Sequence, residues 1–82
     1  MRAILDLRTN KVLRNCGSSA SAARTFAMLQ IERDKHRDLC KRTYRTMPES
    51  RDFKLGICEV QGLRNIGNVV PESEFTIIHA EK

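Results

Sequence analysis

Four cations stand four residues apart in a stretch rich in helix formers: Arg33, Arg37, Lys41 and Arg45. Four-residue steps on an α-helix stack side chains on one face, each about 6 Å from the next, so the ridge would run about 18 Å. Its chemistry is electrostatic. Arginine suits bidentate contacts to acidic side chains, and the step also approximates the phosphate spacing of one nucleic-acid strand. Arg42 lies beside the ridge, and Tyr44 is of a residue type that anchors interfaces. The expected binding residues are therefore Arg33, Arg37, Lys41, Arg42, Tyr44 and Arg45. A plainer reading competes with this one. Glu32, Asp34 and Asp38 are interleaved, and Asp34 and Asp38 stand three or four residues from Arg37, Lys41 and Arg42, the habit of a solvated helix surface.

Two other constellations could do chemistry. Asn15-Cys16-Gly17-Ser18-Ser19 falls between a strand and a helix, where small residues can cradle an anion and a thiol is acidified. Over about eight residues it resembles the phosphocysteine loop of sugar phosphotransferase IIB domains and the loop of small cysteine phosphatases. A phosphatase loop wants Arg six positions after the Cys, and that position is Ala22; Arg24 comes two too late. The segment therefore reads as a turn followed by a helix cap. His36 and Cys40 are one helical turn apart, a spacing that can grip a metal, with Cys16, Cys58 or His79 to complete a tetrahedral set. None comes in the short pairs of structural zinc sites, so the expectation is no metal and no cofactor. No acid–base or nucleophile arrangement follows from spacing, and the chain reads as not an enzyme.

The elements must position these residues. Eighty-two residues make one domain, 1–82, with a thin core. A net charge of +5 favours acidic partners. Three cysteines without a framework argue for a reducing cytoplasm. No apolar run is long enough to span a bilayer, and no signal-peptide pattern opens the chain.

Ala3, Leu5 and Leu7 alternate with polar or outward positions, as in a strand. Thr9-Asn10-Lys11 reads as a three-residue turn, and Val12 to Asn15 returns, with Leu7 opposite Leu13 and Asp6 opposite Arg14. Ser18 or Ser19 caps a helix that runs from Ala20 to about Thr46 without Pro or Gly. A helix of that length, about 40 Å, overhangs strands of about 20 Å. Its second half must project, bend near residues 32–38, or pack against another molecule. Pro48 ends it. Lys54 to Gln61 is a strand apolar on both faces, hence central. A weak extended piece ends at Val69-Val70, and Phe75 to His79 is the last strand. The expected fold is α+β: one long α-helix packed on a small, mainly antiparallel sheet in ββαββ order.

In texture the chain resembles the short accessory proteins of bacteriophage and other mobile genomes. That resemblance implies a small basic interaction protein that binds and inhibits one acidic host protein or nucleoprotein complex in the host cytoplasm, through its basic helix. Direct contact with a nucleic-acid phosphate backbone is the alternative. A homodimer through the under-buried second half of the helix is a third partner class.

Overall fold

Alternating apolar residues in the first fifteen positions, an unbroken run of helix formers, and two further β-branched segments produce five elements. The computed structural model describes residues 1–81. They are β1 (Arg2–Asp6), β2 (Lys11–Cys16), α1 (Ser19–Arg42), β3 (Leu55–Val60) and β4 (Phe75–Ala80). The strands form one sheet in the order β2-β1-β3-β4, antiparallel at every step. The α+β expectation and the ββαββ order hold, and β3 is central, between β1 and β4.

Both faces of the sheet are covered. On one, Ile4, Cys16, Leu55 and Ile57 meet Ala22, Phe26 and Leu29 of α1, with Leu13 and Phe53 at the margin. On the other, Ala3, Leu5, Val12, Cys58 and Val60 pack with Val70, which the 61–74 connection lays across them; Leu7 and Phe75 border this cluster. Gly56 leaves room for Leu7, since a Cβ there would stand 2.8 Å from both Leu7 methyls. The 61–74 connection also shields the outer edge of β2. Val12 N–H donates to the Asn68 carbonyl at 2.9 Å, and the Val12 carbonyl accepts Gly67 N–H at 2.8 Å.

The hairpin register differs from the expected one. Asp6 pairs with Lys11, Leu5 with Val12 and Ile4 with Arg14, so the turn spans residues 7–10 and a bulge falls at Leu13. Neither the Leu7–Leu13 nor the Asp6–Arg14 pair forms. The cause is Asp6. Its carbonyl accepts Thr9 N–H at 3.1 Å and Asn10 N–H at 2.7 Å, and Asn10 takes the left-handed backbone (φ 62°) that closes the turn. Its carboxylate accepts Arg8 N–H at 3.1 Å, Arg8 Nη2 at 3.0 Å, and, from across the sheet, Lys54 N–H at 3.2 Å. The bulge sends both Leu13 and Arg14 to the helix side, where they line one cleft.

Asp6 therefore ties the hairpin turn to the start of β3 while almost fully buried. Burial by itself would raise its carboxyl. The bonds from the Arg8 side chain and from the Arg8 and Lys54 amides outweigh burial and hold it below its ordinary 3.8. A depressed carboxyl stabilises the fold above its unfolded-state pKa, and that contribution disappears as pH falls through the folded value. Wild-type thermal stability should thus fall as pH drops below about 4. Asp6→Asn should lower stability by about 2 kcal/mol at neutral pH and flatten that part of the acid profile. Circular-dichroism melts from neutral to acid pH check both.

Candidate docking site

The helix begins where Ser18, in extended backbone, accepts Ser21 N–H on its hydroxyl at 3.1 Å. It runs unbroken to Arg42, not to Thr46, and its 24 residues measure about 36 Å. What stops it is not Pro48. Tyr44 enters the left-handed region (φ 57°), its N–H donates to the Lys41 carbonyl at 3.3 Å, and Arg45 N–H donates to the Cys40 carbonyl at 2.7 Å. This 5→2 and 6→1 pair is a Schellman turn, a position that glycine usually fills. The Thr43 hydroxyl adds a bond to the Leu39 carbonyl at 2.9 Å.

The turn folds the chain back along the helix it has just ended. Met47, Arg51 and Phe53 then face Leu29 and His36 across a cleft of about 260 Å³. Three fates were open for the second half of α1. The bend does not occur: the helix stays continuous, and the returning chain touches one side of it at Arg33 and Arg37 while Ile31, Leu39 and most of residues 34–42 stay exposed.

That return separates the six expected binding residues into two groups. Arg33 is not on an exposed edge. Its side chain is 6% exposed and forms an ion pair with Glu81, itself 11% exposed. It also donates to the Phe53 carbonyl at 2.8 Å and to Asp34 Oδ1 at 2.9 Å. Arg37 forms an ion pair with Asp52. Asp52 is held below the ordinary carboxylate range, first by that hydrogen bond from Arg37. Arg45 lies beyond the end of the helix. The four-cation ridge is therefore not one free edge: Arg33 is buried, Arg37 is paired with Asp52 at the surface, and Arg45 is off the rod.

The remaining four collect at one place. Lys41 and Arg42 occupy the last turn of α1, and the Schellman turn brings Tyr44 and Arg45 immediately after them. Tyr44 is 98% exposed. Arg42 reaches back to Asp38 at 3.1 Å, a solvent-exposed pair of little energetic weight. Lys41 and Arg45 make no ion pair among the described residues. The helix C-terminus concentrates partial negative charge, so cations here also stabilise the helix.

The other candidates resolve simply. Cys16 closes β2 and is buried in the core beside the helix. Cys58 is buried in the opposite cluster, and burial pushes its thiol up to about 11, far from a reactive thiolate. His36 Nε2 and Cys40 Sγ lie 3.7 Å apart, and no group of three metal-ligating side chains forms among the described residues. No helix among them is long and apolar enough to cross a membrane. Sequence reasoning missed Asp52 and Glu81, the anions that occupy Arg37 and Arg33. They lie 15 and 48 residues away, with no local signal to link them.

A tyrosine held at φ > 0 costs about 1 kcal/mol relative to glycine. Tyr44→Gly should therefore raise the melting temperature by about 4–8 °C. Arg33→Ala should do the reverse and lower stability by about 3 kcal/mol or more, because it leaves Glu81 buried without its cation. Denaturant titration of both variants tests these opposite signs. No family model, no curated protein and no solved structure matches this chain, so the tip is read from its own residues.

Proposed function

We propose that the protein is a non-enzymatic docking protein, an accessory protein of the kind mobile genomes carry, that binds and blocks an acidic protein or nucleoprotein complex through the tip Lys41, Arg42, Tyr44 and Arg45. The observation that supports this most is Tyr44. A large aromatic side chain sits in a backbone position that disfavours it and lies almost wholly in solvent. Folding does not explain that choice, since glycine would fill the position at lower free energy. An interface does: tyrosine offers a rigid apolar ring and a hydroxyl, and the flanking cations Lys41 and Arg45 would steer an acidic surface onto it. Arg33 is buried and lies outside the contact surface, and Arg37, half exposed, is occupied by Asp52.

A second reading is backbone-led nucleic-acid binding. Arg14 and Arg51 at the mouth of the cleft, and Lys54 nearby, also make no ion pair among the described residues, which favours scattered phosphate contacts. With Arg14, Arg51 and Lys54 added to Lys41 and Arg45, about five phosphate contacts entail a salt slope of about −4 to −5 in log–log form.

Retention on immobilised protein from a nuclease-treated bacterial lysate separates the two. One protein should be captured by the wild type, lost with Lys41→Glu/Arg45→Glu, and weakened at least tenfold by Tyr44→Ala. Those variants should melt within a few degrees of wild type. Capture that survives the double charge reversal removes the tip from consideration. Capture that vanishes with nuclease, together with a duplex-DNA gel shift that fades between about 50 and 200 mM salt, establishes the second reading instead.

A further inference from the structure

The two edges of the sheet are treated differently. The β2 edge is covered by the chain's own residues 67–70, whose backbone bonds to Asn10 and Val12. The β4 edge has no partner strand among the described residues. Helix α1 lies mainly over β1, β2 and β3, and meets β4 where His79 stands edge-on to Phe26 at 5.2 Å between ring centroids. Five of the six β4 residues are exposed, and Ile77 and Ile78 are each close to half exposed.

An open edge presents a row of unpaired backbone donors and acceptors, and folded proteins normally guard it with lysine, proline or another charge. Phe75-Thr76-Ile77-Ile78-His79-Ala80 contains no Lys, Arg, Asp, Glu or Pro. It does carry a bulge, since the register to β3 shifts between Ile57 and Cys58 and leaves Ile78 without a partner there. The bulge shortens the flat run yet places an isoleucine, not a charge, on the rim.

We propose that this edge pairs with β4 of a second copy of the chain, antiparallel about a two-fold axis, to form a continuous eight-stranded sheet. Three features favour a second copy over another extended segment. Antiparallel self-pairing sets an uncharged strand against itself, so no like charges meet across the new ladder. Thr76, Ile77 and Ile78 are β-branched, the residue type that pairs best across strands. The far edge of each sheet is already occupied, so addition stops at two copies in a closed symmetric pair and does not grow into a filament.

The contact is small, so dissociation constants in the range of about 1 to 100 μM are expected. Both copies carry +5, and salt screens that repulsion. The dimer should therefore tighten between about 50 and about 500 mM salt, whereas docking of the tip onto an acidic partner should weaken over the same range. Sedimentation equilibrium from about 1 to about 500 μM should show a monomer–dimer equilibrium, with the dimer constant weakened at least tenfold by Thr76→Lys and by Ile78→Lys. Two variants are used so that one remains if the other fails to fold, and circular dichroism checks each. Hydrogen exchange should show β4 amides gaining protection as concentration rises. A monomer over the whole range, open-ended growth, or a dimer indifferent to a folded lysine variant would each overturn the proposal.

Discussion

The buried ion pair between Arg33 and Glu81 holds the architecture together. Arg33 comes from the middle of the helix, and Glu81 follows the last strand. The same guanidinium donates to the Phe53 carbonyl, and the same carboxylate accepts Leu55 N–H at 2.7 Å. Three segments distant in sequence therefore converge on two side chains: α1, residues 53–55 where the returning connection enters β3, and Glu81 after β4. Two charges taken from water repay their desolvation only when every remaining hydrogen-bonding group is met. Here the guanidinium finds Glu81, Asp34 and a carbonyl, and the carboxylate finds Arg33 and an amide. The arrangement fixes where the helix lies along the sheet, and so where its C-terminus ends.

Several elements were legible because their signals are local. A cap at Ser18 or Ser19 follows from a hydroxyl before a run of helix formers, and Ser18 is the one that serves. The central place of β3 follows from apolar residues on both faces, Leu55 and Ile57 on one and Cys58 and Val60 on the other, matching the two core clusters. The hairpin existed where alternation put it, but its register did not, because a bulge at Leu13 cannot be seen in a two-residue period. The end of α1 was missed for a related reason. Proline is a recognisable stop, whereas a tyrosine in the left-handed region carries no sequence mark. The basic ridge failed on tertiary grounds. Spacing places Arg33 and Arg37 on one helix face, and only the fold reveals that this face meets the chain's own Asp52 and Glu81.

Two cations of the helix are neutralised in place, one buried and one at the surface: Arg33 by Glu81 and Asp34, Arg37 by Asp52. Lys41 and Arg45, where the chain turns, make no ion pair among the described residues, and Arg14, Arg51 and Lys54 share that property elsewhere. A solvated helix surface would distribute its pairs along the rod, as Asp38 and Arg42 do. Instead the Schellman turn groups two unpaired cations around one exposed aromatic ring. The ion pair in the core and the strained turn at the end are thus linked, since the return of the chain from Tyr44 to Phe53 is what brings Asp52 and the Phe53 carbonyl to Arg37 and Arg33.

The sheet carries the same asymmetry. The 61–74 connection covers one face through Val70 and one edge through residues 67–70, so a single segment closes the β2 side. Among the described residues only Glu81 follows β4, and its side chain is turned inward to Arg33 and Leu55. The carboxylate that could have guarded the open edge is the one the helix requires. A fold this small has few acidic residues to place, and committing Glu81 to the core leaves β4 uncharged along its whole length. The exposed strand is in this sense a consequence of how the helix is held.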